Sequence, residues 1–207
     1  MPTTSDGEFV YAEPADVEEY VQTGANQFSL GTNGSPSEWR QFLEGLQVKM
    51  KARIDEYCDR DFEDHASDTV VLDGGPTPTR IVGLPSPVRS VTSVTVDETD
   101  ESTTLDAGEF AVKDGGHLIR VDEPWPTGYQ NITVELDWGY QSPPDDVQDA
   151  EQMLVANTVA KLAQMREGQV VQQGDMTVQV ALPSAMTAEV RGILGTHRDN
   201  GRTAGLI

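Results

Sequence analysis

The side chains best suited to nucleophilic or metal chemistry are few here: Cys58, His65, His117 and His197. Cys58 with His65 would supply a thiol and a base, but no orienting third group accompanies them. The three histidines are far apart, none has the HExxH spacing of a zinc site, and neither a GxSxG elbow nor a glycine-rich phosphate loop occurs. The run DRDFEDH (residues 59–65) offers Asp59, Asp61, Glu63 and Asp64 as oxygen ligands for a divalent cation. It lacks the central Gly and terminal Glu of an EF-hand loop, and in a chain with 35 acidic residues such runs arise freely. Nothing singles out two carboxylates as a glycosidase pair. The expectation is no catalytic residue, no metal and no cofactor, with a salt-adapted soluble hydrolase carrying an acidic cleft as the enzymatic alternative.

Charge narrows the partners. A formal net charge of -21, with lysine confined to Lys49, Lys51, Lys113 and Lys161, argues against a basic nucleic-acid-binding face. Dispersed acids suit a high-salt cytosol, where at about 1 M salt the Debye length falls to about 3 Å and self-repulsion is screened. They also suit a carboxylate-walled passage along which another polyanion slides without sticking. The single Cys58 cannot form an internal disulfide. The N-terminus MPTTSDGEFVYAEP has no charged-then-apolar leader and no run is long enough to span a membrane, so the expectation is a protein made and kept in solution.

The elements that would position any site fall in a clear order. Residues 1–34 read as an N-terminal arm with a short helix near 15–23, opened by Pro14 and closed by Gly24, followed by a loop. Ser35, Pro36 and Glu38 form a capping box for a first long helix, which runs to about Arg60 within a segment 35–66. Its stripe is Trp39, Phe42, Leu43, Leu46, Met50, Ile54 and Tyr57, with Gly45 read as a close helix crossing. Residues 67–142 change to a strand-and-turn period, an inserted β-domain. Residues 132–138 alternate Ile132, Val134, Leu136 and Trp138 against Thr133, Glu135 and Asp137. Residues 110–112 and 118–121 make a hairpin around Asp114-Gly115-Gly116, and residues 90–96 are expected to pair with one of its strands. The acidic run 97–102 reads as a solvated loop tip.

Pro143-Pro144 open a second long helix, within residues 143–168, that is apolar on nearly every side. One stripe is Val147, Leu154, Leu162 and Met165. A second is Met153, Ala156, Ala160 and Ala163, with Val155 and Val159 between them. One small domain offers little cover for so much apolar surface, so a neighbouring copy is expected to supply it. Residues expected at subunit contacts are Trp39, Met153, Ala156, Ala160 and Ala163. The alternative is a central helix wholly enclosed by its own domain. Residues 169–207 read as a docking arm: alternating strands around Gly174-Asp175, a short helix from about Ser184 to Leu194, and a tail with His197, Arg198 and Arg202. The fold class is therefore α+β, an antiparallel helix bundle with a small inserted β-domain and a C-terminal strand/helix docking arm.

From residue 36 to 198, the ordered set LPSPVRSVTSVTVD (84–97), TLDAGEFAVKDGGHLIRV (104–121), WPTGYQNITVELDWGYQSPPDDVQDA (125–150), a long helix ending in REG, and GDMTVQVALPSAMTAEVRGILGTHR (174–198) resembles the head-to-tail connector (adaptor) proteins of tailed phages. That resemblance implies a virion neck protein, a homo-oligomeric ring of twelve subunits bound beneath the portal protein. Genomic DNA would pass through without specific binding, and a stopper or tail-completion protein would dock below. A stopper or tail-completion role in the same neck is the close alternative. The C-terminal segment would reach the portal, with Asp175, Thr177, Gln179, Leu182, Leu194, His197, Arg198 and Arg202 as docking residues. The chain departs from the usual pattern in its acidity, which together with scarce lysine points to a virus of a salt-loving archaeon, and in its long N-terminal arm.

Overall fold

The computed structural model describes residues 1–21, 35–98, 101–113, 116–167 and 186–198. Four helices and seven strands are assigned among them, an α+β arrangement: α1 (Pro14–Val21), α2 (Pro36–Cys58), β1 (Asp64–Leu72), β2 (Ile81–Gly83), β3 (Val88–Glu98), β4 (Glu101–Thr104), β5 (Phe110–Lys113), β6 (His117–Arg120), β7 (Ile132–Gly139), α3 (Asp145–Glu167) and α4 (Ala188–Leu194). Two compact units result, a helical one built from Met1–Phe62 and Pro143–Asn200, and a β unit over Glu63–Ser142. No described helix is long and apolar enough to cross a membrane.

In the helical unit, local chemistry sets the ends of the longest elements. Ser35 accepts from the Glu38 amide while the Glu38 carboxylate accepts from the Ser35 amide at 2.7 Å, the reciprocal cap its sequence encodes. Asp59 closes α2 in a left-handed conformation, so the helix stops at Cys58 and the chain turns into β1 at Asp64, ahead of the boundary at residue 67 that composition indicated. At α3, the Pro144 carbonyl accepts from Val147 and Gln148, and the Gln148 side-chain amide reaches back to the Pro143 carbonyl. The apolar stripe of α2 turns inward as its spacing predicts, with Trp39, Leu43, Leu46, Met50 and Ile54 buried. α3 touches each of the other three helices.

Gly45 is a correction. Among the described residues no atom outside its own helix turn lies within 4 Å of the place its Cβ would occupy, so it marks no crossing of the described helices and adds backbone freedom that folding must remove.

The β unit stacks two antiparallel sheets, ordered β1-β7-β3-β4 and β2-β6-β5. Val94 and Val96 of β3, Ile132, Val134 and Leu136 of β7, and Val82 and Leu118 of the smaller sheet share one core with Trp125. The hairpin of β5 and β6 is as expected. The pairing expected for residues 90–96 is not: β3 pairs with β7 and β4, and no pairing to β5 or β6 is among the described ladders. The reason is burial. Val94 opposite Val134 and Val96 opposite Ile132 place both strands' apolar sides on one core, whereas β5 carries only four residues and an exposed Val112. The acidic run 97–102 ends β3 and begins β4. Gly139 adopts a φ of +79°, and a Cβ there would come within 2.1 Å of the Glu63 carbonyl, which explains a glycine inside the WGY of residues 138–140.

Replacing Gly45 by Ala should stabilise the helical unit by about 0.5–1 kcal/mol, the usual gain for removing an interior helical glycine. Urea unfolding followed at 222 nm measures it; an unchanged or lowered midpoint would contradict the open setting of this position.

Candidate assembly interface

α3 was expected to have more apolar surface than its own chain covers, and the structure divides it. Val147, Ala150, Leu154, Val155 and Val159 are buried, whereas Met153, Ala156 and Ala163 are half-buried and Ala160 is exposed. One side is thus packed by the chain itself, and a shallow side of small residues and one methionine remains in contact with solvent. Beside it, Asp16, Glu19 and Tyr20 of α1 line an open cleft with Gln152 of α3, and Tyr20 is 50% exposed. Such a surface suits close approach of another helix, because alanine adds little beyond the backbone.

The residues named from sequence fare differently. Trp39 is 2% exposed and stacks on Phe42 at 5.7 Å, so within this chain it is core and offers no surface. Of the residues expected to dock a partner, Asp175, Thr177, Gln179, Leu182 and Arg202 lie outside the described residues. Leu194 is buried. His197 is bonded to Asp146 at 2.6 Å and packs edge-on against Phe62, while Arg198 sits over the Tyr57 ring. His197 and Arg198 therefore already bind α4 and the residues after it to the helical unit. The short helix expected from about Ser184 begins at Ala188, capped by the Thr187 hydroxyl.

The chemistry-bearing residues are engaged structurally. Cys58 is fully buried with its sulfur 3.8 Å from the Leu194 carbonyl, and burial pushes its thiol up to about 11, far from a reactive thiolate. His65 stacks flat on Trp138 at 3.7 Å, and the Trp138 indole N–H donates to Asp68 at 2.8 Å. Asp59 caps a helix and Asp64 pairs with Arg89. No group of three or more His, Cys, Asp or Glu among the described residues is placed to hold a metal ion.

The group that sequence reading missed is polar and central. Glu151 has no solvent exposure, and its carboxyl accepts from the main-chain amides of Tyr11 at 3.1 Å and Ala12 at 2.7 Å. Gln47, equally buried, donates to the Ala12 carbonyl at 3.0 Å and lies 3.5 Å from the same carboxyl. Tyr11 passes inward beyond them: its hydroxyl meets Asp55 and accepts from the Phe62 amide at 3.2 Å. Lys51 bonds Asp55 at 2.9 Å and covers the Phe9 and Tyr11 rings. Burial raises Glu151 to about 7 against the pull of its hydrogen bonds, and burial likewise raises Asp55 and Tyr11 above their ordinary values. The N-terminal segment is consequently part of the helical core, with Val10, Tyr11 and Ala12 fully buried, rather than a free arm. A signal existed: Glu151 lies four residues after Val147 and three before Leu154, on the inward spacing of α3.

A family model described as "Head completion protein" matches residues 41–200. Among solved structures, a chain titled "Neck of empty GTA particle computed with C6 symmetry" is 16% identical, covers 89% of this chain and 88% of that chain, and superposes with a TM-score of 0.49. No curated protein matches the chain.

Changing Tyr11 to Phe should keep the ring packing while leaving Asp55 and the Phe62 amide without their hydroxyl partner. The expected loss is about 1–3 kcal/mol, the cost of unsatisfied buried groups. Chemical denaturation of wild type and variant checks this, and equal midpoints would refute the hydroxyl's structural role.

Proposed function

This chain belongs to the head completion protein family, and we propose on that footing that it is a structural, non-catalytic protein of a virion neck: a connector (adaptor) whose copies form a ring, of twelve subunits, beneath the portal. The observation that carries the reading is the family match over residues 41–200. It is supported by a helix α3 that the described residues bury on one side, with Met153, Ala156 and Ala163 half-buried and Ala160 exposed as the candidate subunit-packing surface. It is also supported by the structural engagement of Cys58, His65 and His197.

In this role the C-terminal segment reaches the portal, with Asp175, Thr177, Gln179, Leu182 and Arg202 as the candidate contacts, while Leu194, His197 and Arg198 hold the segment to the helical unit. A stopper or tail-completion protein binds the lower rim. Genomic DNA threads the ring without being gripped, because a wall drawn from a chain of charge -21 repels phosphate. The same acidity fits assembly in the cytoplasm of a salt-loving archaeal host, where molar salt weakens repulsion between neighbouring acidic copies.

Light scattering at molar salt, with and without the portal protein, tests the proposal. The wild-type chain should form a species of discrete stoichiometry, alone or on the portal. The double change Ala156→Arg with Ala160→Arg, at positions half-buried and exposed in the single chain, should leave the helical circular dichroism unchanged and lower assembly at least tenfold. A wild-type chain that stays monomeric and ignores the portal would rule the connector role out.

A further inference from the structure

We infer that the N-terminal segment is latched to the helical unit by a protonated Glu151, shared with Gln47, so that docking of residues 1–13 is linked to the uptake of one proton.

The geometry begins with Ala12. Its amide donates to Glu151 and its carbonyl accepts from the Gln47 side-chain N–H, so the amide group of Gln47 has only one orientation compatible with both bonds. That orientation commits the Gln47 nitrogen and leaves its Oε1 buried with no hydrogen-bond partner among the described residues. The Oε1 of Glu151 is in the same condition, while its Oε2 takes both main-chain amides. The two side chains meet where the Gln47 Nε2 lies 3.5 Å from the Glu151 Oε2, and each carries a buried oxygen without a donor among the described residues. A proton on Glu151 Oε1 supplies a donor, and the acid and amide then pair in the cyclic manner, Nε2–H to Oε2 and Oε1–H to the Gln47 Oε1.

Charges around the site do not replace that proton. From α2 the facing groups are Lys51 and Asp55, and Lys51 is bonded to Asp55 at 2.9 Å, with the Tyr11 hydroxyl of the N-terminal segment on the same carboxylate. From α1, Asp16 and Glu19 line the cleft at Gln152, the next residue along α3, and bring no positive charge. From the segment after α4, His197 is taken by Asp146. Burial outweighs the hydrogen bonds from Ala12, Gln47 and Tyr11 and the attraction of Lys51, all of which favour the ionised form, and raises Glu151 from 4.5 to about 7.

The sign follows from linkage. A carboxyl group whose proton affinity is higher when docked than when released stabilises the docked state fully below its free value. That stabilisation is lost as pH rises to its docked value and stays level above it. The window is therefore about pH 4.5 to 7, and within it docking should weaken about tenfold per pH unit, the slope of one proton. Glu151→Gln mimics the protonated acid: it keeps an oxygen for the Tyr11 and Ala12 amides and presents an N–H to Gln47.

Hydrogen exchange of the Tyr11 and Ala12 amides, corrected for the intrinsic pH dependence of exchange, reads the latch directly. Between pH 5 and about pH 7 the wild-type protection factors should fall about tenfold per unit relative to Glu151→Gln, whose protection stays level. Val134 amide exchange, in the β unit, should show no such difference between the two proteins. The latch is overturned by equal pH slopes in both proteins, by Glu151→Gln losing protection at every pH, or by Val134 following Tyr11 and Ala12, which would make the linkage global.

Discussion

A carboxyl group sealed inside the helical unit is the constraint on which the rest of that unit depends. Glu151 stands on the inward side of α3 among Val147, Leu154 and Val155, where an unpartnered polar group costs several kcal/mol. It is tolerated because the chain brings two main-chain amides to it from residues 11 and 12, some 140 positions away in sequence. Those amides are themselves buried and would be equally costly without an acceptor. Each requirement thus meets the other, and the chain near its N-terminus is fixed against α2 and α3. Tyr11 then reaches Asp55 and Phe62, and α1 starts from a position already set.

The β unit is specified by a different means. Its larger sheet owes its order to apolar spacing, since β7 carries Ile132, Val134 and Leu136 on every second residue and β3 presents Val94 and Val96 opposite Val134 and Ile132. Two bulges along their ladder absorb the positions where strict alternation fails. A buried Asn131 then ties the loops together, accepting from the Gly74 amide at 2.8 Å and donating to the Pro126 carbonyl at 2.9 Å. Polar groups at the ends and apolar pairs in the middle divide the work of fixing this unit.

The chain belongs to the head completion protein family, and its helix α3 has two unlike sides. Its valine and leucine side closes the helical unit, and its methionine and alanine side stays shallow and accessible. The strong acidity belongs to the surface rather than to the core. Among the described acids Glu44 and Glu151 are the buried ones, and each has a hydrogen-bonding partner from the N-terminal segment.

Local signals were legible in the sequence wherever one short stretch carried the whole cause. The capping box at Ser35 and Glu38, the inward stripe of α2, the β5–β6 hairpin and the span of α3 each follow from residues a few positions apart. The order of motifs likewise carries the resemblance to the connector proteins of tailed phages. Pairing of β3 with β7, the open setting of Gly45, the burial of Trp39 and the engagement of His197 by Asp146 depend on which distant surfaces meet. Glu151 shows the difference most plainly. Spacing along α3 places it on the inward side, yet an acid there reads from sequence alone as part of the polar strip. Only the tertiary structure, by bringing the amides of Tyr11 and Ala12 to it, provides the hydrogen bonds that let a carboxyl group remain inside.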